Sequence, residues 1–178
     1  MTDETHADLP PLPSPERLLE LLHDAARIGR DDVIPALLQA GVPIDARDAR
    51  GYTALILASY NGQESTTALL LAEGANPDAP DGARGNTALM GVAFKGYDAI
   101  ARLLLDAGAT VDARNNAGQT ALMSAVMFGH GAIVDLLLAR GADPRAEDEA
   151  GNSPARVAAA QGNAAMLERI EAASEIGG

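Results

Sequence analysis

The 178-residue sequence contains no cysteine. This absence excludes disulfide bonds, cysteine-ligated zinc and thiol catalysis. Aromatic residues make up only 3% of the chain and tryptophan is missing, whereas hydrophobic residues make up 47%. We therefore expect a folded core, built from aliphatic side chains.

Positive charge is also scarce. Thirteen Lys and Arg residues stand against 25 Asp and Glu residues, so the formal net charge is −12, and Lys95 is the only lysine. Nucleic-acid-binding proteins gain affinity by neutralising phosphates with Lys and Arg. We therefore expect no nucleic-acid partner, whereas a protein with a basic surface is compatible with this charge.

Long apolar runs are absent as well. The longest stretch without a charged residue, residues 115–134, contains Asn, Gln, His and three glycines. It does not resemble a membrane span, and the acidic, proline-rich N-terminus does not resemble a secretory leader. We expect no membrane partner and a cytoplasmic location, or a periplasmic one if a leader has been removed.

Glycines recur at a fixed spacing in three interleaved series, and every step is 33 or 34 residues. The series are Gly51, Gly85, Gly118 and Gly151; Gly29, Gly62, Gly96, Gly129 and Gly162; and Gly41, Gly74, Gly108 and Gly141. Such a period is the signature of a repeat architecture.

Each repeat predicts two helices and a loop. A hydroxyl residue two positions after the first glycine is expected to cap a short helix, and the next glycine ends it. The caps are Thr53, Thr87, Thr120 and Ser153, and the predicted helices are 54–61, 88–95, 121–128 and 154–161. A second helix carries three consecutive leucines and closes at the third glycine, and about ten residues of turn sequence follow.

The two ends of the repeat array differ from its middle. Ser14 and Pro15 start a first pair with helices predicted at 16–28 and 32–40. The last pair replaces the three leucines with Met166, Leu167 and Ile170, which stand among Glu and Arg residues. Terminal repeats of this kind shield a stack from water. We predict one domain at residues 16–174, between a flexible acidic tail at 1–15 and a short C-terminal tail at 175–178.

The unit Gly-x-Thr-Ala-Leu, followed by Leu-Leu-Leu and Gly-Ala, resembles the ankyrin repeat over residues 16–174. The resemblance implies an all-α solenoid of about five helix pairs, with three internal repeats, two capping pairs, short β-hairpin loops called fingers and a concave binding face. Where the family usually has His, this chain has Ile56, Met90, Met123 and Arg156. The sequence Thr-Ala-Leu-Met, which occurs twice, is similar to small bacterial ankyrin proteins, some encoded beside catalase genes.

No catalytic motif is recognisable, so we expect a non-enzymatic protein without a cofactor or metal. His23 and His130 match positions where the family keeps a structural or turn-forming histidine. The resemblance therefore implies a structural role for both.

Candidate partner-binding residues lie two positions before the glycine that ends each first helix. About 140° of helical rotation separates them from the core leucines, which predicts a stripe on the concave face. The stripe contains Tyr60, Phe94 and Met127, with Lys95 and Phe128 beside it. Exposed aromatic and Met side chains are typical of interfaces, although they also pack against each other between repeats.

The loops supply a second set of candidates. Arg47, Arg50, Arg84 and Arg114 lie at the predicted finger tips. Tyr52, Asn86 and Gln119 precede the helix caps. The last tip carries Glu147, Asp148 and Glu149 instead, so the fingers change sign along the array and could orient a partner. The loop at 76–84 holds one extra residue, which explains the 34-residue step.

The leading hypothesis is a monomeric protein–protein interaction scaffold of unknown partner, and the bacterial resemblance adds a catalase-linked or oxidative-stress partner. One alternative is a small-ligand protein that binds haem in the concave groove, with Tyr60 as an oxygen ligand. Another is an immunity-type inhibitor of a basic toxin, because charge complementarity speeds capture.

Overall fold

The computed structural model describes residues 13–176. Within that range the chain forms ten α-helices and one isolated antiparallel β-bridge, between Arg47 and Thr53. The helices are α1 (Pro15–Ile28), α2 (Ile34–Gln39), α3 (Ala54–Tyr60), α4 (Glu64–Ala72), α5 (Ala88–Lys95), α6 (Asp98–Asp106), α7 (Ala121–Met127), α8 (Gly131–Ala139), α9 (Pro154–Ala160) and α10 (Ala164–Ile176).

The helices form five antiparallel pairs arranged in two rows. The odd-numbered helices α1, α3, α5, α7 and α9 pack side by side in one row, and α4, α6 and α8 pack in the other. The predicted all-α solenoid of five pairs is confirmed. In the described part the fingers are tight turns with a single bridge, where the resemblance implied short β-hairpins.

Helix starts and ends follow the predicted chemistry. The hydroxyl oxygens of Thr53, Thr87, Thr120 and Ser153 each accept a hydrogen bond from the backbone N–H three residues later. All thirteen glycines of the three series have positive φ, between 65° and 91°. This is the conformation in which a side chain would be strained, so the period reflects a backbone requirement.

Some boundaries differ from the prediction. Helix α1 begins one residue early, at Pro15, because Ser14 accepts from the N–H of Arg17. Helix α2 begins two residues later than predicted, because residues 31–33 form a turn. Helix α10 continues beyond residue 174 to Ile176. Of the tails predicted at 1–15 and 175–178, residues 1–12 and 177–178 lie outside the described residues.

The core runs between the two rows of helices and is aliphatic, as the composition required. The middle leucine of each triple block is fully buried, at Leu70, Leu104 and Leu137. In the last pair Met166 and Ile170 are buried and Leu167 is half-buried, while Glu168, Arg169 and Glu171 are exposed, as a terminal cap requires. None of the described helices combines the length and the apolar character needed to cross a membrane.

Candidate functional site

Four large hydrophobic side chains lie exposed in line across three successive repeats. Tyr60, Phe94, Met127 and Phe128 are each between 40% and 47% exposed. Helical phase explains this position, because Leu55, Leu89 and Leu122, five residues before the first three, are at most 1% exposed. We call these four residues the aromatic stripe.

The rings of the aromatic stripe also contact each other. Tyr60 and Phe94 stack with ring centroids 6.1 Å apart and planes 14° apart, and Phe94 meets Phe128 edge-on at 4.4 Å. Packing between repeats and exposure to a partner are therefore not exclusive here. The contacts hold the rings in place while close to half of each side chain remains open to solvent.

Helix α5 makes room for this arrangement at Gly91. A β-carbon at that position would lie 3.3 Å from Cδ2 of Tyr60, closer than an ordinary contact. A glycine inside a helix costs about 0.5–1 kcal/mol relative to alanine. Its presence between buried Met90 and Val92 lets the Tyr60 ring lie against the backbone of the next repeat.

The aromatic stripe and the fingers border one concave groove of about 840 Å³. Nine of the eleven predicted site residues line it: Arg50, Tyr52, Tyr60, Arg84, Asn86, Phe94, Gln119, Met127 and Phe128. The groove is also lined by Ile56, Met90 and Met123, which the site prediction omitted. Their signal was available, because they replace the histidine that the family usually has at that position.

The other two predicted site residues, Lys95 and Arg114, are not among those that line the groove. The Lys95 ammonium lies over the Tyr60 ring, 5.1 Å from its centroid, and 5.8 Å from the centroid of Tyr97. A cation over an aromatic face is attracted by the ring electrons. Lys95 thus lies over one face of the Tyr60 ring.

The Arg114 guanidinium connects two fingers. It donates to the backbone oxygen of Glu147 at 2.6 Å and of Gly118 at 3.2 Å. Two periods earlier, Arg47 donates to the backbone oxygen of Pro80 at 2.8 and 3.2 Å. Both arginines therefore satisfy carbonyl groups of the neighbouring finger.

Arg50 and Arg84 differ from these two. Both are exposed and line the groove. Each uses its backbone N–H in a turn, but among residues 13–176 their guanidinium groups form no hydrogen bond or ion pair. They are arginines of the groove wall whose donors face solvent.

The residues before the caps are only partly exposed. Tyr52 packs against the core, while the amide nitrogen of Asn115 donates to the side-chain oxygens of Asn86 at 2.9 Å and Gln119 at 3.1 Å. These three amides form a polar ladder between adjacent fingers.

Each finger folds around one Asp or Asn side chain, a feature that the sequence reasoning missed. The oxygen of this side chain accepts backbone N–H groups of the turn that follows it. The residues are Asp48, Asp81, Asn115 and Asp148. A signal existed, because an Asp or Asn recurs three or four residues before the first glycine of each repeat, and such residues nucleate turns.

The extra residue of the second finger lies inside this turn, between Asp81 and Gly85. The Asp81 carboxylate accepts from three consecutive N–H groups there, at 2.6–3.1 Å, against two in the other fingers. Burial acts to raise the pKa of Asp81, but the three backbone N–H groups and the Asn86 side chain outweigh it, so that this pKa lies below its ordinary value of 3.8. The backbone and side chain of Asn152 likewise lower the pKa of Asp148.

Neighbouring fingers are joined through their main chains. Three backbone N–H groups, each from one finger, donate to a carbonyl oxygen of the finger before it at 2.9–3.0 Å. The pairs are Gly82 with Gly51, Asn116 with Arg84, and Glu149 with Ala117. The four fingers therefore form one continuous wall of the groove.

The two histidines of the described part act in the framework. Nε2 of His23 lies 2.9 Å from the carbonyl oxygen of Ala46, and Nε2 of His130 lies 3.0 Å from that of Phe94. Among residues 13–176, no group of three or more His, Asp or Glu side chains is placed to hold a metal ion.

Comparison with known proteins agrees with this architecture. The family model described as "Ankyrin repeats (3 copies)" matches residues 17–81, 68–148 and 110–171. The chain belongs to the ankyrin-repeat family. The same comparison says nothing of bacterial origin or of a link to catalase.

Individual relatives are similar over short stretches only. The chain is 37% identical over 68 residues to mitochondrial disaggregase of Bos taurus. The aligned stretch covers 38% of this chain and 10% of that protein. It is 39% identical over 70 residues to calmodulin-binding transcription activator 3 of Arabidopsis thaliana, covering 35% and 7%. The chain thus spans a tenth or less of these relatives.

Proposed function

We propose that this protein is a non-enzymatic interaction module that binds a segment of a partner protein in its concave groove. Ankyrin repeats generally mediate protein–protein interaction. The observation that carries the proposal is the aromatic stripe, whose four side chains remain 40–47% exposed although its three aromatic rings contact each other. Aromatic and Met side chains fixed on a concave surface are the composition of interface centres.

The preorganisation of the groove favours binding of this kind. A side chain that is already immobilised loses little conformational freedom on association, so more of its contact free energy appears as affinity. The linked fingers immobilise one side of the groove before binding, and the stacked rings immobilise the other. A protein segment that inserts apolar side chains against Phe94 and Met127 would use both.

Site-specific crosslinking tests the proposal in the native host. A photoreactive amino acid at Met127 should give discrete crosslinked species, because this position opens into the groove. The same amino acid at Arg102, an exposed position on α6 away from the groove, is the matched control. Equal crosslinking at the two positions would place the binding face elsewhere.

The finer expectations belong to this proposal too. The resemblance to small bacterial ankyrin proteins adds catalase to the partners that deserve a direct binding assay with the purified chain. A monomeric state is checked by light scattering after size-exclusion chromatography. The identity of the crosslinked partner tests the proposed cytoplasmic location. It also tests the alternative, an immunity-type inhibitor, which would be crosslinked to a basic toxin.

A further inference from the structure

We infer that the segment bound in the groove is an acidic one: it places a carboxylate between Arg50 and Arg84 and an apolar side chain on the aromatic stripe. This inference rests on the proposed function and names the chemistry of the partner. It contrasts with the basic partner that the overall charge alone suggests.

The groove is locally basic in a strongly acidic protein. The chain carries a formal charge of −12, yet three arginines and two aspartates line the groove. The arginines are Arg27, Arg50 and Arg84, and the aspartates are Asp48 and Asp81. The groove therefore carries a small excess of positive charge, whereas the whole molecule is negatively charged.

The two aspartates are already engaged by the protein itself. The Asp48 carboxylate accepts from the backbone N–H groups of Arg50 and Tyr52 at 2.9 Å and lies 3.9 Å from the Arg27 guanidinium. Asp81 holds the N–H groups of the second finger tip. Neither carboxylate is therefore a favourable site for a basic partner group.

The arginines are not equally engaged. Arg27 pairs with Asp24 at 2.8 Å, whereas the guanidinium groups of Arg50 and Arg84 have no partner among the described residues. A guanidinium presents a planar set of donors that matches a carboxylate in two parallel hydrogen bonds. Arg50 and Arg84 lie on adjacent fingers, so one acidic segment can reach both.

The charges at the other end of the array determine which end of the groove the acidic segment occupies. The last finger carries Glu147 and Glu149, both exposed, and Arg156 there donates to the backbone oxygen of Gly151 at 2.6 Å. An acidic segment is attracted to the second and third helix pairs and repelled from the fifth. The apolar side of the same segment then faces Tyr60 and Phe94.

A peptide selection tests the inference. A displayed library of random 12-residue peptides is selected on the wild-type protein and counter-selected on Phe94→Ala, so that groove-dependent sequences remain. We expect these sequences to combine Asp or Glu with a large apolar residue. In fluorescence polarisation, the double variant Arg50→Ala/Arg84→Ala should bind the best peptide at least tenfold more weakly and with a smaller salt dependence.

Two further variants complete the experiment. Arg102→Ala removes an exposed arginine outside the groove and should leave peptide affinity unchanged. Arg84→Glu should weaken binding of the acidic peptide. The same variant should bind more tightly to a second peptide in which the acidic residue is replaced by Lys. Arg50 and Arg84 are exposed, and their guanidinium groups form no hydrogen bond or ion pair in the described part, so folding should survive, which circular dichroism checks.

The possible failures are distinguishable. Groove-dependent peptides that are neutral or basic, or acidic peptides insensitive to the double variant, would overturn the acidic partner while leaving the proposed function standing. A selection that yields no peptide dependent on Phe94 would overturn the proposed function together with this inference.

Discussion

Replacing Phe94 by alanine separates the two roles of the aromatic stripe. Phe94 is 40% exposed, so about 60% of its side chain is buried against Tyr60, Phe128 and the helix surface. Complete burial of a Phe side chain is worth about 1.5–3 kcal/mol, and 60% of that is about 1–2 kcal/mol. Because the site opens into the groove, water fills the space left behind and no cavity cost is added.

Leu104→Ala is the matched change in the core. Leu104 is fully buried, so its truncation leaves an enclosed cavity and should cost about 2–5 kcal/mol. Ile28→Ala, at a side chain that is 64% exposed, should change stability by less than about 0.5 kcal/mol. The expected order of destabilisation is Leu104, then Phe94, then Ile28.

Urea unfolding followed by far-UV circular dichroism measures all three, provided that the slope against denaturant is unchanged. The same Phe94→Ala variant should lose about 1–3 kcal/mol of binding free energy toward a groove-binding peptide, because this is the usual cost of truncating an interface anchor. Leu104→Ala should keep its affinity for that peptide at temperatures where the variant is folded. If Phe94→Ala destabilises the fold as much as Leu104→Ala does, the stripe is core and the groove assignment is refuted.

Four other changes test separate parts of the structure. Gly51→Ala should destabilise the chain more than Gly41→Ala in urea unfolding: both glycines have positive φ, but only at Gly51 would a β-carbon meet backbone, that of Gly82 at 2.7 Å. Asp81 has a depressed pKa in the folded chain, so its contribution to stability is present at neutral pH and declines as pH falls below about 4. Asp81→Asn keeps an acceptor oxygen, as Asn115 does, and should flatten this decline. The assignment would be contradicted if the urea midpoints of the variant and the wild type changed with pH in the same way. Arg114→Ala should lower the thermal midpoint because it removes bonds to two carbonyl groups, while Arg50→Ala should leave it unchanged; a reversed order would show that the finger contacts are misassigned. If the haem alternative holds, added haem gives a Soret shift that Tyr60→Ala abolishes, and an unchanged spectrum rejects Tyr60 as a ligand.

The repeat framework could be predicted from the sequence because each of its features is local. A hydroxyl cap or a positive-φ glycine depends on the backbone within a few residues, and Thr53 or Gly96 therefore identifies its own role. The aromatic stripe was predictable for the same reason, since exposure follows from helical phase relative to Leu89. The turn-forming role of Asp81 has the same local character, since an Asp or Asn stands at the equivalent place in every finger.

Contacts between repeats could not be predicted in this way. Arg50 and Arg114 both follow Asp-Ala, yet Arg50 faces the groove whereas Arg114 binds the carbonyl of Glu147, 33 residues away. Arg114 shares its place in the repeat, four residues before the first glycine, with Arg47, whereas Arg50 directly precedes its glycine. Which carbonyl of the neighbouring finger a side chain reaches is set by the packing of the repeats, which no local pattern encodes. The edge-on meeting of Phe94 with Phe128 likewise depends on side-chain rotamers.

The backbone bonds between fingers have a mechanical consequence. Because Gly82, Asn116 and Glu149 each hold the finger before them, a force on one tip is shared by the whole row. A partner that presses on the second finger must therefore bend its neighbours as well, and the width of the groove changes only when the curvature of the entire array changes. Substitutions in the fourth finger should then alter how a ligand at the second is held, without any contact between them.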